Sequence, residues 1–290
     1  MAETLKGKTI FMSGGSRGIG LAIALRAARD GANVVVAAKT AEPHPKLPGT
    51  IHTAVEEIEK AGGQGLGVLC DIREETQVQA AVDQAVERFG GIDIVVNNAS
   101  AIQLTDTVST HMKRYDLMNG VNARGTFLVS KLSIPHLKKA DNPHILTLSP
   151  PLDMKAKWFA GHIAYSMAKF GMSMVTLGLA EELRKDGIAA NSLWPISVID
   201  TAAVRNVLGG ASMAAMSRSP EIMADAAHAI LTRSARECSG NFFIDELLLM
   251  EEGVTDFSQY GPEEGVPMAD FFVPDEAFEK AITKVKRQFG

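Results

Sequence analysis

Short runs of consecutive apolar residues alternate along the chain with longer stretches in which apolar residues recur every three to four positions. An unbroken apolar run suits a strand buried on both faces, and a period near 3.6 suits a helix that covers such a strand. The runs predict strands at 8–12, 33–37, 65–69, 92–97, 144–148, 189–193 and 241–244, and the periodic stretches predict helices at 21–30, 77–89, 121–137 and 164–185. In the second helix Val78, Ala81, Val82, Ala85, Val86 and Phe89 fall on one face, a packing stripe. This alternation predicts an α/β fold with a doubly wound parallel sheet. Two segments break the rhythm. Residues 40–50 carry Pro43, Pro45 and Pro48 and read as a loop insertion after the second strand, because proline removes backbone donors. The tail 251–290 is acidic, with a short amphipathic pattern over 275–289; its Phe271, Phe272 and Phe278 are too apolar for a solvated end. We therefore expect a single domain over 1–250 and a C-terminal extension over 251–290 that packs on it or on a neighbouring subunit.

Composition narrows the function classes. Lys plus Arg is 29 against 34 Asp plus Glu, a net charge of -5 with no basic stripe, so no nucleic-acid partner is expected. Hydrophobic residues at 46% and charged residues at 22% exclude disordered and fibrous classes. The two cysteines, Cys70 and Cys238, are too few for a disulfide scaffold or a cysteine metal site, which points to the reducing cytoplasm. His44, His111 and His162 lack partners at metal-ligand spacing, and no metal is expected. The N-terminus shows no apolar signal core and no run reads as membrane-spanning, so a soluble cytoplasmic protein is expected.

The first strand runs into SGGSRGIG, residues 13–20, and then into a helical stretch. Glycines at 14, 18 and 20 let the backbone turn tightly and approach a pyrophosphate at a helix N-terminus. With strand and helix on either side, this is the turn of a Rossmann-like dinucleotide site rather than an ordinary βα turn. An acidic residue at the end of the second strand would bond the ribose hydroxyls of NAD(H). Here the text is VVVAAKT, which offers Lys39, with Arg17 as a second cation. Two cations without a carboxylate suit a ribose 2′-phosphate, so NADP(H) is favoured over NAD(H), the alternative being that both side chains face solvent.

In AYSMAKFG, Tyr165 and Lys169 stand four apart and share a helix face. An ammonium beside a phenol stabilises phenolate, which would bring Tyr165 toward the range of general acid–base catalysis.

With SGGSRGIG, CDI, VVNNAS, VNARGTF, the YxxxK pair and NSLWP in this order, residues 6–250 resemble the short-chain dehydrogenase/reductase family. The resemblance implies that Tyr165 donates the proton to a carbonyl, that Lys169 tunes it and binds the nicotinamide ribose, and that Asn122 holds a water of the proton relay. It implies cofactor contacts from Ser13, Gly14, Ser16, Arg17, Gly18, Ile19 and Gly20, from Lys39, from Asp71 and Ile72 at the adenine, from Asn98 and Ala99, and from Pro195, Ile199 and Thr201 near the carboxamide. A homo-oligomer, dimer or tetramer, is expected too. Within the family, AAKTAEPHPKLPGTI, the SPPL turn and LWP are similar to a branch whose dehydrogenase part precedes a sterol-carrier-like domain. That implies a lipophilic substrate, although no such domain is expected within these residues.

Two departures stand out. Where the family has a carbonyl-polarising serine, LTLSPP places Pro150, leaving Ser149 either to swing into that role or to serve as a strand-end residue. In NSLWPIS, Ile196 replaces the glycine that normally follows Pro195. Leu152, Met154, Trp158, Phe159, Met213 and Met216 are candidate substrate-pocket residues. The leading expectation is an NADP(H)-dependent oxidoreductase interconverting a carbonyl and a secondary alcohol, and the rival is a cofactor-binding sensor or scaffold without turnover.

Overall fold

A computed structural model describes residues 4–44, 47–208, 210–262 and 265–287. Seven strands, β1 (Thr9–Ser13), β2 (Asn33–Ala38), β3 (Gln64–Leu69), β4 (Ile94–Asn97), β5 (His144–Thr147), β6 (Ala189–Trp194) and β7 (Phe242–Ile244), form one sheet in the order β3-β2-β1-β4-β5-β6-β7. Every pairing is parallel. β1 lies between β2 and β4, in register Ser13↔Ala37 and Ser13↔Asn97, so the winding direction reverses at the end of β1, where α/β sheets open a crevice.

The apolar runs are explained by what each strand face meets. Ile10 and Met12 of β1, with Val34 and Val36 of β2, join one buried core, whereas Phe11 and Val35 join the core on the opposite face. Helices α1 (Gly18–Arg29), α2 (Ile51–Lys60), α8 (Glu221–Thr232) and α9 (Asp245–Glu251) cover the first; α3 (Glu75–Phe89), α5 (Gly125–Leu137) and α6 (Ile163–Glu182) cover the second. Three further helices are α4 (Met112–Asn119), α7 (Gly210–Ala215) and α10 (Asp275–Lys280).

Several elements differ from the sequence expectation. The proline insertion leads straight into α2, which buries Ile51, Ala54 and Ile58 and starts on a reciprocal cap: Thr50 Oγ1 accepts from the Thr53 N–H at 3.1 Å, and Thr53 Oγ1 accepts from the Thr50 N–H at 2.8 Å. Pro45 lies outside the described residues. The stretch expected to be helical from 121 begins as a π-turn, Gly120–Arg124, between α4 and α5. By length and composition α6 is apolar enough to cross a membrane, contrary to the expectation that no run is; it packs on the sheet with most of its apolar window buried. The amphipathic pattern expected over 275–289 is helical only in α10, and residues 288–290 lie outside the described part.

The tail folds back onto the loop that follows β6. Val198 N–H donates to Met268 O at 2.9 Å, Ser197 and Ala269 pair antiparallel, and Asp270 N–H donates to Ile196 O at 3.2 Å. Phe272 is fully buried at φ 64, a backbone region that side chains other than glycine rarely adopt. Its ring packs against Phe170 at 5.3 Å, Trp158 at 5.9 Å, Tyr165 at 6.0 Å and Trp194 at 6.1 Å. Further along the tail, the Thr283 N–H donates to Glu246 Oε1 at 2.7 Å, and Glu246 forms a buried ion pair with Arg218 at 2.7 Å.

Candidate functional site

The turn from β1 to α1 is built by close backbone approach. Gly14 has φ 74, and a Cβ there would lie 2.8 Å from Ala99 Cα; at Gly20 it would lie 2.5 Å from Asn98 Nδ2. Asn98 Nδ2 donates to Gly14 O at 2.8 Å, while Ser13 Oγ accepts from the N–H groups of Asn98 and Ala99 at 3.2 and 3.3 Å. SGGSRGIG and NNAS are thus stitched together at the switch point. No side chain caps α1 and no acidic residue occupies its first turn, which leaves its N-terminal N–H groups suited to an anion.

A cavity of about 760 Å³ runs from this turn to the N-terminal half of α6. Gly14, Ser16, Arg17, Gly18, Ile19, Lys39, Asp71, Ile72, Asn98, Ala99, Tyr165, Lys169, Pro195, Ile199 and Thr201 all line it. The other four expected cofactor or catalytic residues, Ser13, Gly20, Asn122 and Ser149, are not among those lining it. Ser13 and Gly20 form the stitch just described. Asn122, on the π-turn, clamps Ala101: its Oδ1 accepts from the Ala101 N–H at 2.8 Å and its Nδ2 donates to Ala101 O at 3.1 Å.

Ser149 is the clear departure. It is fully buried, its hydroxyl bonds that of Ser192 at 2.9 Å, and Ser192 in turn donates to Thr176 at 3.0 Å. Ser173 Oγ donates to Pro150 O at 2.6 Å, so this turn is held inward and Ser149 does not swing toward Tyr165. Ser149→Ala is accordingly expected to leave turnover within about twofold while costing about 1 kcal/mol of stability, measured by steady-state rates and urea denaturation. A rate loss near 100-fold would show that the hydroxyl reaches the substrate. Of the apolar pocket candidates, Met213 lines the cavity, whereas Trp158 and Phe159 pack in the aromatic cluster around Phe272 and Met154 is exposed.

Near the end of β3, Arg73 grips the Asp71 carboxylate through Nε at 3.0 Å and through Nη2, with Lys39 Nζ at 3.4 Å. The Arg73 hydrogen bonds, chiefly, hold the Asp71 carboxyl well below the usual carboxylate range. Arg73 falls outside the quoted motifs and was not predicted. Arg17 donates to Pro48 O at 2.9 Å and Gly49 O at 2.8 Å, so the proline insertion closes over this end, where Thr40 and Leu47 also line the cavity.

At the other end, Tyr165 and Lys169 lie one turn apart on α6, only 6% and 3% exposed. Lys169 Nζ donates to Leu148 O at 2.7 Å and lies 4.9 Å from the Trp194 ring centre. The sequence predicts that this ammonium draws the phenol down; burial outweighs it. Desolvation, aided by the charge of Asp270, raises the Tyr165 phenol, and desolvation lowers Lys169 to about 7 despite that same charge. Asp270, supplied by the tail, has no motif in the sequence to announce it. Burial raises its carboxyl to about 7, with Asp245 pushing the same way and the Phe271 N–H and Lys169 opposing.

The chain belongs to the short-chain dehydrogenase family, whose model matches residues 8–212. This is an oxidoreductase family. Among curated proteins, the chain is similar to hydroxysteroid dehydrogenase-like protein 2 of Xenopus laevis, 57% identical over 275 residues that make up 95% of this chain and 65% of that protein. Against the Danio rerio protein of the same name the identity is 59%, over 93% of this chain and 64% of the relative. The chain thus spans about 65% of the length of these relatives. Among solved structures, a putative dehydrogenase from Xanthomonas campestris matches with TM-score 0.91 and 57% identity, covering 94% of this chain and all of that one.

Proposed function

We propose that this chain is an NADP(H)-dependent oxidoreductase that interconverts a carbonyl and a secondary alcohol on a lipophilic small molecule. One observation carries the reading: Tyr165 and Lys169 face the same cavity as the glycine turn. The glycine turn, whose Gly14 packs too tightly on Ala99 to carry a Cβ, and the uncapped start of α1 fit a pyrophosphate, with Lys39 and Arg17 lining the same cavity. The bound nicotinamide would supply or receive the hydride. Tyr165 delivers or takes the proton at its phenolic oxygen, and Lys169 sets the charge next to it. Leu104, Leu117, Val198 and Met213 line the cavity and support a lipophilic substrate, since apolar walls exclude water from the reacting atoms.

The test is a panel of lipophilic ketones and secondary alcohols assayed with both nicotinamides. Reduction of at least one ketone by NADPH is expected. Tight NADPH binding with no turnover of any member would move the reading to a sensor or scaffold. For cofactor choice, NADPH is expected to bind more tightly than NADH in a fluorescence titration. Lys39→Asp should narrow the difference by roughly 10- to 100-fold, the worth of one charge-assisted hydrogen bond. Equal affinities in the parent protein would overturn the preference.

The proposal also places the protein in the cytoplasm as a homo-oligomer. Buried free Cys70 and Cys238 suit a reducing compartment. Phe127 on α5, with Met167, Met174 and Leu177 on α6, are about half exposed and supply apolar surface for a second copy, which light scattering would detect.

A further inference from the structure

The reactive end of the cavity receives one ionisable side chain from far along the chain. Asp270 sits on the tail segment that pairs with the loop after β6, its N–H bonded to Ile196 O, while the carbonyl of its neighbour Phe271 accepts from Trp194 Nε1 at 2.7 Å. Asp270 lines the cavity together with Tyr165 and Lys169. Among the described residues that line the cavity there are two carboxylates. Asp71 is gripped by Arg73 and Lys39 near the end of β3, and Asp270 stands at the reactive end. Asp270 Oδ1 accepts from the Phe271 N–H at 2.7 Å, and its Oδ2 has no hydrogen-bond partner among the described residues. At the end of β5, Pro150 has no donor and the Ser149 hydroxyl bonds that of Ser192.

We propose that Asp270, as a neutral carboxylic acid, donates a hydrogen bond to the substrate oxygen and stands in for the serine hydroxyl that this chain lacks there. The inference rests on the oxidoreductase reading above. As hydride reaches the carbonyl carbon, negative charge grows on the oxygen and a donor already aimed at it strengthens. Tyr165 gives its proton to that oxygen, and Asp270 keeps its own. Burial favours the neutral form, with the carboxyl raised to about 7. The charged and titratable groups that act on it are Lys169 and Tyr165 from α6 and Asp245 from α9, and His162 stands behind the Phe271 ring at 5.4 Å.

The test compares Asp270→Ala, Asp270→Asn and Tyr165→Phe with the parent, using NADPH-dependent reduction of the ketone panel from pH 6 to 8.5. NADPH affinity and thermal midpoint are measured alongside. Asp270→Ala is expected to lower kcat/KM by about 100- to 1,000-fold, as the loss of an oxyanion donor does, with NADPH affinity within twofold. Asp270→Asn is nearly isosteric, keeps a donor and does not ionise. It should stay within tenfold of the parent, and its rate relative to the parent should rise above pH 7, where the parent's acid loses its proton. Asp270→Ala near parental rate while Tyr165→Phe is inactive would overturn the Asp270 assignment alone. So would an Asn variant as damaged as Ala in a folded protein, because charge would then be what the site needs. If Tyr165→Phe is also neutral, the oxidoreductase reading itself falls.

Discussion

Tyr165→Phe is expected to lower turnover by about 100- to 10,000-fold, the range for a lost general acid, while NADP(H) affinity changes little. The ring stays and only the hydroxyl goes, so the packing against Phe272 at 6.0 Å is retained and the loss is chemical. Burial gives the experiment a second readout. With the phenol raised and Lys169 lowered to about 7, the pair is held as neutral phenol beside an amine that titrates near neutrality. Reduction should therefore depend on pH around 7 through Lys169, falling as the ammonium is lost. Single-turnover rates with NADPH and a substrate ketone check both points. A Phe variant with parental turnover would remove Tyr165 from the mechanism.

The second large effect concerns the buried ion pair of Arg218 and Glu246. Arg218 and Glu246 are 1% and 0% exposed, so removing Glu246 takes the ion-pair partner from a buried Arg218, with Asp245 left as an acidic neighbour. Glu246→Ala is expected to cost about 3–5 kcal/mol in urea denaturation. Glu246 Oε1 also accepts the Thr283 N–H, and Arg218 Nη2 donates to the Thr283 hydroxyl, so the loss should loosen the tail and increase its cleavage in limited proteolysis. The double change Arg218→Met with Glu246→Leu should recover part of the stability, because both charges of the pair are gone while the buried Asp245 loses the Arg218 charge that favours its carboxylate. A single variant within 1 kcal/mol of the parent would show that water reaches the pair.

What was legible in the sequence was what is local. The strands are readable because both faces of β1 and β2 are buried, which requires runs such as IFM and VVV. The glycine turn is readable because its flanking strand and helix are contiguous with it. α2 also carried its signal, apolar residues at 51, 54 and 58, but the prolines just before it drew the reading toward loop. Other features depend on partners distant in the chain. Whether Ser149 faces the substrate is decided by Ser192, Thr176 and Ser173, and no spacing around LTLSPP encodes that choice. Asp270 resembles any acidic tail residue until the tail pairs with Ile196. The pKa expectation for Tyr165 reversed for a related reason: a spacing of four residues reveals the ammonium but not the rings that dehydrate it.

The bond between Trp194 and Phe271 spans 77 residues, which gives the reaction centre a history during synthesis. At about 5–20 residues per second, roughly 4–15 s pass between translation of the indole and of the carbonyl that receives its N–H. Through that interval the nascent chain has its glycine turn, Tyr165 and Lys169 translated, while Phe272, which completes the aromatic cluster, is still to come. Any folding of the chain within that interval proceeds without the ring that completes the aromatic cluster around Trp158, Tyr165 and Phe170.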